Sequence, residues 1–251
     1  MQMLVTGGSG FLGAGLVREL LAQGHAVRVL DDHSRGRPHR LADLGERLQV
    51  VHGDVRDAAA VRAATEGCEV VWHLAYVNGT RYFYEKPDVV LDVGIKGALN
   101  TVEAALDAGA RRYVLASTSE TYNEPTHVPT TEAERLMIPD ITNPRFSYGG
   151  QDRVRLLALH LGGHRGLETV IFRPHNIYGP DMGFEHVIPR SSAASSTSPM
   201  ASAATASPSP SRAMAARRGP SATSTTAPAG PASPASTASP AASTTSAPST
   251  R

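Results

Sequence analysis

Three glycines spaced three residues apart interrupt the stretch VTGGSGFLG near the start of the chain: Gly7, Gly10 and Gly13. A short apolar run precedes them and a helical pattern follows, so the sequence predicts a tight turn from a strand into a helix. Glycine in such a turn lets the backbone approach a diphosphate, and N–H groups at the start of the helix, here including those of Phe11 and Leu12, face the phosphates. The spacing therefore predicts a dinucleotide-binding loop.

An acidic pair, Asp31 and Asp32, closes the second predicted strand in the stretch VRVLDDHSRG. A carboxylate at this point accepts hydrogen bonds from both ribose hydroxyls of adenosine and repels a 2′-phosphate, which favours NAD over NADP. The alternative is that the acid only caps a turn. Arg35 and Arg37 nearby keep NADP open as the less favoured cofactor.

Two further strand ends offer contacts to such a cofactor. Asp54 and Val55, in HGDVRD, follow the third predicted strand beside the expected adenine pocket, and Asp57 is placed to cap the next helix. Leu74 and Ala75, in HLA, end the fourth strand and leave a small residue where the cofactor must pass. Taken alone, Asp54 is more typical of a turn. The histidine of HLA is more typical of a packed core residue, and no residues have metal-ligand spacing.

Short apolar runs and helical patterns alternate over residues 1–190, which predicts a parallel sheet covered on both faces. Six strands suit an α/β, doubly wound Rossmann fold. A long helix is expected over Pro87 to Ala108 and another over Tyr148 to Gly162. The predicted strands have the sequences MLV, AVRVL, LQVVH, EVVWHL, RRYVLAS and ETVIFRP.

Composition changes abruptly at Ser191. Residues 191–251 contain only Ser, Ala, Thr, Pro, Met, Gly and Arg, and so offer little apolar surface to bury against the entropy of ordering the chain. We expect a disordered tail behind a domain of residues 1–190, with a linker to a further segment as the alternative.

The overall balance of residues excludes several classes of function. Without the four arginines of the tail, 20 basic residues face 23 acidic ones, which gives no reason to expect a nucleic-acid partner. Cys68 is the only cysteine, so no internal disulfide forms, which fits a cytoplasmic protein. The N-terminus lacks a signal-peptide pattern, and no apolar run is long enough to cross a membrane.

Seven motifs in order make the chain resemble the extended short-chain dehydrogenase/reductase family, in particular the NAD-dependent epimerase/dehydratases of nucleotide sugars. The resemblance covers residues 1–190, and the smaller substrate lobe of that family has no counterpart in the tail, so we expect a truncated lobe. The matching stretches are TGGSGFLG (Thr6 to Gly13), the acid of LDD (Asp31), GDVRD (Gly53 to Asp57), HLA (His73 to Ala75), STSETY (Ser117 to Tyr122), SYGG (Ser147 to Gly150) and FRPHNIYGP (Phe172 to Pro180).

The resemblance implies a mechanism and its residues. NAD⁺ takes a hydride from a sugar carbon while Tyr148, also a cofactor contact, takes the hydroxyl proton and Thr118 completes the hydrogen bonds to the substrate oxygen. In the dehydratases and decarboxylases of the family an acid at the position of Glu120 handles a second proton, and Asn176 corresponds to a substrate-contacting asparagine. Considered singly, Glu120 is equally typical of a solvated loop acid. Thr118 and Asn176 are more typical of hydrogen-bonding residues at strand ends.

The position four residues after Tyr148 holds Asp152, where the family has a lysine. A cation one helical turn later lowers the pKa of a phenol, whereas a carboxylate there raises it. The only lysines are Lys86 and Lys96, and Arg153 lies about 100° around a helix, so proton abstraction is expected to be impaired.

Three interpretations of the function stay open. The chain is an impaired enzyme, a non-catalytic NAD-binding module, or a reductase of a non-nucleotide substrate. A reading-frame slip is a further hypothesis for Asp152: if Gly150 to Asp152 are encoded GGG-CAA-GAT, the frame one base later reads GGC-AAG, which is Gly-Lys. Sequencing the gene from independent isolates decides this. The resemblance further implies a homodimer paired through the helix before strand five and the Tyr148 helix, where Arg153 and Arg155 leave the pairing open.

Overall fold

The computed structural model describes residues 1–179 together with 181 and 182, and for residues 148–155 it describes the backbone. The predicted tail over residues 191–251 lies outside these residues, and so does the region where a truncated substrate lobe is expected.

Six parallel strands form one sheet in the order β3-β2-β1-β4-β5-β6. The chain starts in the middle and winds outward in both directions, so its direction reverses between β1 and β4. In open sheets of this kind, ligands bind outside the carboxyl ends of the strands at this switch point. The doubly wound fold predicted from the sequence is therefore confirmed. The strands are β1 Gln2–Thr6, β2 Ala26–Asp31, β3 Leu48–His52, β4 Val70–His73, β5 Arg112–Ala116 and β6 Glu168–Phe172.

In the described part of the chain, five α-helices and three 3₁₀ helices connect the strands. The helix α2 begins after Asp57, whose carboxylate accepts hydrogen bonds from the N–H groups of Ala59 and Ala60, as expected for a cap. The α-helices are α1 Phe11–Ala22, α2 Ala58–Thr65, α3 Thr80–Glu85, α4 Pro87–Asp107 and α5 Asp152–His164. The 3₁₀ helices are Pro38–Leu41, Ser119–Tyr122 and Pro144–Gln151.

Two features of this helix set differ from the prediction. The six-residue helix α3 was not predicted, since it is too short to show a helical period. The expected helix from Tyr148 is instead a 3₁₀ helix that passes into α5 at Asp152. Asp152 therefore opens an α-helix, where a carboxylate is favourable beside the partial positive charge of the N-terminus.

Alternate residues of the central strand pack on opposite faces of the sheet. Leu4 of β1 joins an apolar cluster with helices α2, α4 and α5, whereas Met3 and Val5 join a second cluster with α1. This division follows from the two-residue period of a strand. Both faces of β1 are therefore covered, which is why its sequence reads as a continuous apolar run.

A buried hydrogen bond joins the carboxyl ends of β1 and β4, beside the switch point. The hydroxyl of Thr6 lies 2.8 Å from Nδ1 of His73, and it also accepts a hydrogen bond from the N–H of Ala75. His73 is buried, and burial lowers its pKa to about 4. The imidazole is therefore neutral at physiological pH, in agreement with the core role predicted for it.

We expect His73 to make folding sensitive to mild acid. In the unfolded chain the imidazole gains a proton near pH 6.5, whereas the folded protein resists protonation down to about pH 4. The contribution of His73 to the free energy of unfolding should therefore fall between these values by up to about 3 kcal/mol and stay constant below them. Urea titrations between pH 7 and pH 4 measure this loss. In His73→Asn, which keeps a polar atom near the position of Nδ1, the loss should be smaller; an unchanged pH profile would contradict this role.

Candidate functional site

The glycine loop between β1 and α1 is packed so closely that two of its glycines admit no side chain. Gly7 has φ +70°, and a Cβ there would lie 2.8 Å from Cα of Ala75. A Cβ at Gly13 would collide with the carbonyl oxygen of Gly7 and lie 2.7 Å from Cα of Gly8. The loop thus packs closely against the start of α1 on one side and, through Gly7, against Ala75 after β4 on the other. Gly10, the N-cap of α1, has an N–H that donates to the carbonyl of Gly7 at 3.1 Å.

The head of helix α1 is arranged to receive an anion. Gly10 provides no side-chain hydrogen bond to cap the helix, and the first turn, which begins with Phe11 and Leu12, contains no acidic residue. The N–H groups of this turn and the positive end of the helix dipole are therefore not neutralised by the helix's own side chains. These groups fit the diphosphate of a dinucleotide.

The acid pair after β2 divides into two different environments. Asp31 is buried, with Oδ2 accepting from the N–H of Ser9 at 2.9 Å and Oδ1 from the N–H of His33 at 2.8 Å. Asp32 is exposed and accepts hydrogen bonds from the N–H and the hydroxyl of Ser34 in its own turn. Of the two acids, Asp31 is therefore the one beside the glycine loop. Its bond to His33 is the turn-capping role considered from the sequence, and it leaves further lone pairs on the carboxylate.

Asp54, predicted beside the adenine, is paired with an arginine two residues later. Nη2 of Arg56 lies 2.5 Å from Oδ2 of Asp54, and the backbone N–H of Arg56 donates to Oδ1 at 2.8 Å. The hydrogen bonds from Arg56 hold the pKa of Asp54 below its usual range, so the carboxylate is ionised. Val55 is buried, and its carbonyl accepts from the side-chain amide of Asn100 at 2.9 Å.

Ala75, the small residue that the sequence predicts beside the cofactor, lies against the glycine loop. Ala75 approaches Gly7 and is held by the Thr6 hydroxyl. Leu74, whose N–H donates to the carbonyl of Thr6 at 3.2 Å, packs against the cluster around α1. The structure thus brings the predicted residues Gly7, Leu74 and Ala75 together at the switch point.

Arg40 joins the glycine loop to the segment after β6. Its guanidinium donates to the carbonyl of Ser9 at 3.1 Å and to Oδ2 of Asp181 at 2.6 Å. The bond from Arg40 holds the pKa of Asp181 below its usual range. Arg40 was not predicted as part of the site, because an isolated arginine in a loop carries no periodic signal.

The predicted hydroxyl and acid lie just after β5. Thr118 is buried, and its Oγ1 accepts from the N–H of Glu120 at 3.2 Å, which leaves its O–H able to donate to a ligand. Glu120 is half-exposed and forms an ion pair with Arg145, at 3.6 Å between Oε2 and Nη2. Glu120 is therefore a partly exposed acid that is paired with a cation. The neighbouring Ser117 also has a buried hydroxyl, which has no hydrogen-bond partner among the described residues.

Glu120 lines an open cavity of about 260 Å³. Arg145 and His175 are charged or titratable members of its wall that were not predicted, since each stands alone in an irregular segment. Beside the cavity the guanidinium of Arg173 lies 5.3 Å from the ring centre of Tyr122 and donates to its hydroxyl at 3.1 Å. The cavity is lined by Ser119, Glu120, Tyr122, Asn123, Pro125, Thr130, Arg145 and His175.

For the remaining predicted residues, the structure gives the exposure of Asn176 and the backbone position of Tyr148 and Asp152. Asn176 is exposed in the loop after β6. Tyr148 lies in the 3₁₀ helix and Asp152 at the start of α5, and their side chains lie outside the described part of the structure. Across residues 1–179, 181 and 182, apart from those undescribed side chains, no group of His, Cys, Asp and Glu could hold a metal ion. In the same part of the chain, no helix combines the length and apolar character needed to cross a membrane.

Known proteins are similar in sequence to most of this chain. The UDP-N-acetyl-alpha-D-glucosaminuronate decarboxylase of Bacillus cytotoxicus is 31% identical over 193 residues, which cover 75% of this chain and 59% of that protein. The UDP-glucose 4-epimerase of Mycolicibacterium smegmatis is 32% identical over 185 residues, covering 72% and 57%. The chain thus spans less than two thirds of these relatives.

A solved structure gives the same result for the fold. The dTDP-glucose 4,6-dehydratase of Streptomyces venezuelae, solved with NAD bound, matches with a TM-score of 0.67 and 32% identity, covering 76% of this chain and 60% of that one. Residues 3–200 match the family model described as the NAD dependent epimerase/dehydratase family. The glycine loop, the strand order and these matches agree, and the chain belongs to the NAD-dependent epimerase/dehydratase family.

Proposed function

We propose that the protein binds NAD at the switch point and belongs functionally to the oxidoreductases that act on nucleotide sugars. The observation that carries this proposal is the uncapped head of α1 beside the buried carboxylate of Asp31. The first supplies N–H donors to a diphosphate, and the second supplies acceptors to ribose hydroxyls. Solved relatives with NAD bound support NAD as the cofactor.

NAD⁺, when bound, supplies the acceptor for a hydride from a sugar carbon. In this proposal, Tyr148 removes the proton of the substrate hydroxyl, and Thr118 donates its O–H to the same substrate oxygen. Glu120 then moves a second proton beside the ketone that results. The half-exposed position of Glu120 in the cavity, next to Arg145, supports that role, because it can reach a ligand from there.

A nucleotide sugar is the substrate class that the relatives favour. Decarboxylation, dehydration and epimerisation of such sugars are the activities that their names state. Glu120 tilts the proposal towards dehydration or decarboxylation, which need an acid or base beyond the one that serves hydride transfer. Asn176, exposed after β6, is proposed as a contact to the substrate.

Pairing of two copies is proposed across α4 and α5. The helix α5 exposes Leu156, Leu157 and Leu159, and Ile95 of α4 is also exposed. Exposed leucines on one helix favour an interface over a solvated surface. Sedimentation velocity measures the state, and a monomer at all concentrations up to 100-fold above the assay range would contradict pairing.

The tight packing of Gly13 gives a test of cofactor binding. A Cβ at Gly13 collides with the backbone of the loop, so Gly13→Ala should weaken NAD binding at least tenfold, as measured by calorimetric titration. Gly15→Ala is the matched control, because a Cβ at Gly15 has no atom within 4 Å and should leave the affinity within twofold. Circular dichroism checks that both variants fold. Wild-type affinity in Gly13→Ala would contradict the proposed site, as would a folded wild-type protein without affinity for NAD.

Restoring a cation after Tyr148 tests the proposed chemistry. Asp152→Lys should raise the turnover of UDP- or dTDP-linked sugars by at least tenfold, because a nearby cation lowers the pKa of a phenol. Glu46→Lys changes the charge equally but lies in an exposed loop before β3, at the opposite edge of the sheet, and should leave turnover unchanged. Tyr148→Phe in the Asp152→Lys background should remove the gain. Tight NAD binding with no gain from Asp152→Lys would favour the non-catalytic module instead.

A further inference from the structure

Ser9, Asp31 and His33 form a connected group, here called the ribose-side cluster. The N–H of Ser9 donates to Oδ2 of Asp31 at 2.9 Å, and the N–H of His33 donates to Oδ1 of Asp31 at 2.8 Å. The hydroxyl of Ser9 lies 3.1 Å from Nδ1 of His33. Three elements therefore meet here: the glycine loop, the end of β2 and the loop that follows it.

Within the ribose-side cluster, the chain itself largely encloses the carboxylate. The side chain of Asp31 is 5% exposed, and Ser9 is fully buried. Gly36 closes over both, since a Cβ there would collide with Oγ of Ser9 and lie 2.5 Å from Oδ1 of Asp31. The side chain of His33 is 22% exposed. The imidazole is thus the member of the cluster with the most surface left for a ligand.

The imidazole is also held in place. His33 has φ +56°, a left-handed backbone conformation that is uncommon for residues with a Cβ, although histidine adopts it more often than most. Its ring lies 5.2 Å from the ring of His52 at the end of β3, and its Nδ1 faces the Ser9 hydroxyl. A strained, well-supported residue beside a proposed ligand is a common property of binding sites.

We propose that His33 contacts the 2′ position of the adenosine ribose and determines the preference between NAD and NADP. Asp31 influences this preference partly through its contact with His33. This inference rests on the proposed binding of NAD. A neutral imidazole beside the Asp31 carboxylate suits a 2′-hydroxyl, which can donate to one and accept from the other. A protonated imidazole, with Nδ1 3.5 Å from Oδ1 of Asp31, offsets the carboxylate charge and donates to a 2′-phosphate. The preference for NAD over NADP then depends on the charge of the pair, and not on Asp31 alone.

Within the described residues, two titratable side chains face His33. Asp31 faces it from β2 and His52 from the end of β3. Asp32 precedes it but is bonded to Ser34. The loop that follows carries Arg35, whose guanidinium lies 5.0 Å from the ring centre of Tyr82, as well as the arginines at positions 37 and 40.

The test compares NAD and NADP on the full chain at pH 8 and pH 6, with calorimetric titration to give both dissociation constants. In the wild type, the ratio of the NADP constant to the NAD constant should fall about tenfold from pH 8 to pH 6. His33→Asn should leave only the smaller part of that fall that the 2′-phosphate itself causes, and it should bind NAD within threefold of wild type, because asparagine tolerates positive φ. His33→Lys should give a low ratio at both pH values, since its charge is fixed.

Two controls separate this role from a general effect of pH or stability. His25→Asn makes the same substitution just before the amino end of β2, whereas Asp31 lies at its carboxyl end. This variant should keep the fall in the ratio of the two dissociation constants. The 2′-phosphate itself titrates near pH 6, but equally so in every variant. A fall that is absent in the wild type or equal in His33→Asn, or an unchanged ratio in His33→Lys, would overturn the inference while leaving NAD binding in place. If the folded wild type bound neither dinucleotide, the proposed cofactor site and this inference would fail together.

Discussion

The contact on which the rest of the site depends is the backbone packing of Gly7 and Gly13 at the switch point. Gly7 lies against Ala75 after β4, and Gly13 lies against the carbonyl of Gly7. These contacts fix the direction in which α1 leaves the sheet, and therefore where its N–H groups point. Because the atoms involved belong to the backbone, no side-chain rearrangement can relieve a substitution, and the geometry is specified by the absence of two Cβ atoms.

The polar groups behind this loop are arranged to keep it rigid without adding charge. Thr6 and His73 connect the two central strands through a neutral buried pair, and the hydroxyl of Tyr113 in β5 is bonded to that of Thr101 in α4. Asp31 is a buried charge beside the loop, and its carboxylate is stabilised by hydrogen bonds from the N–H groups of Ser9 and His33. The neutral pair of Thr6 and His73 avoids the cost of burying an unpaired ion between the central strands.

Much of this arrangement could be predicted from the sequence, and the limits have physical causes. The glycine spacing, the apolar runs of the strands and the capping acid Asp57 are local patterns, so they identified the fold and the loop correctly. His33 and Arg145 gave no such signal, because their roles depend on partners that lie 24 and 25 residues away in sequence. The 3₁₀ helix before Asp152 was also missed, since hydrophobic periodicity does not distinguish a tighter turn at a helix start.

The guanidinium of Arg40 has a consequence for how the sequence can vary. It bonds the carbonyl of Ser9 in the glycine loop and both the carboxylate and the carbonyl of Asp181, which lies 141 positions away. Two distant parts of the chain thus share one cation, and the energetic effects of substitutions at positions 40 and 181 cannot be additive. Evolutionary drift at one position is therefore constrained by the residue present at the other, so relatives of this protein should change them as a pair.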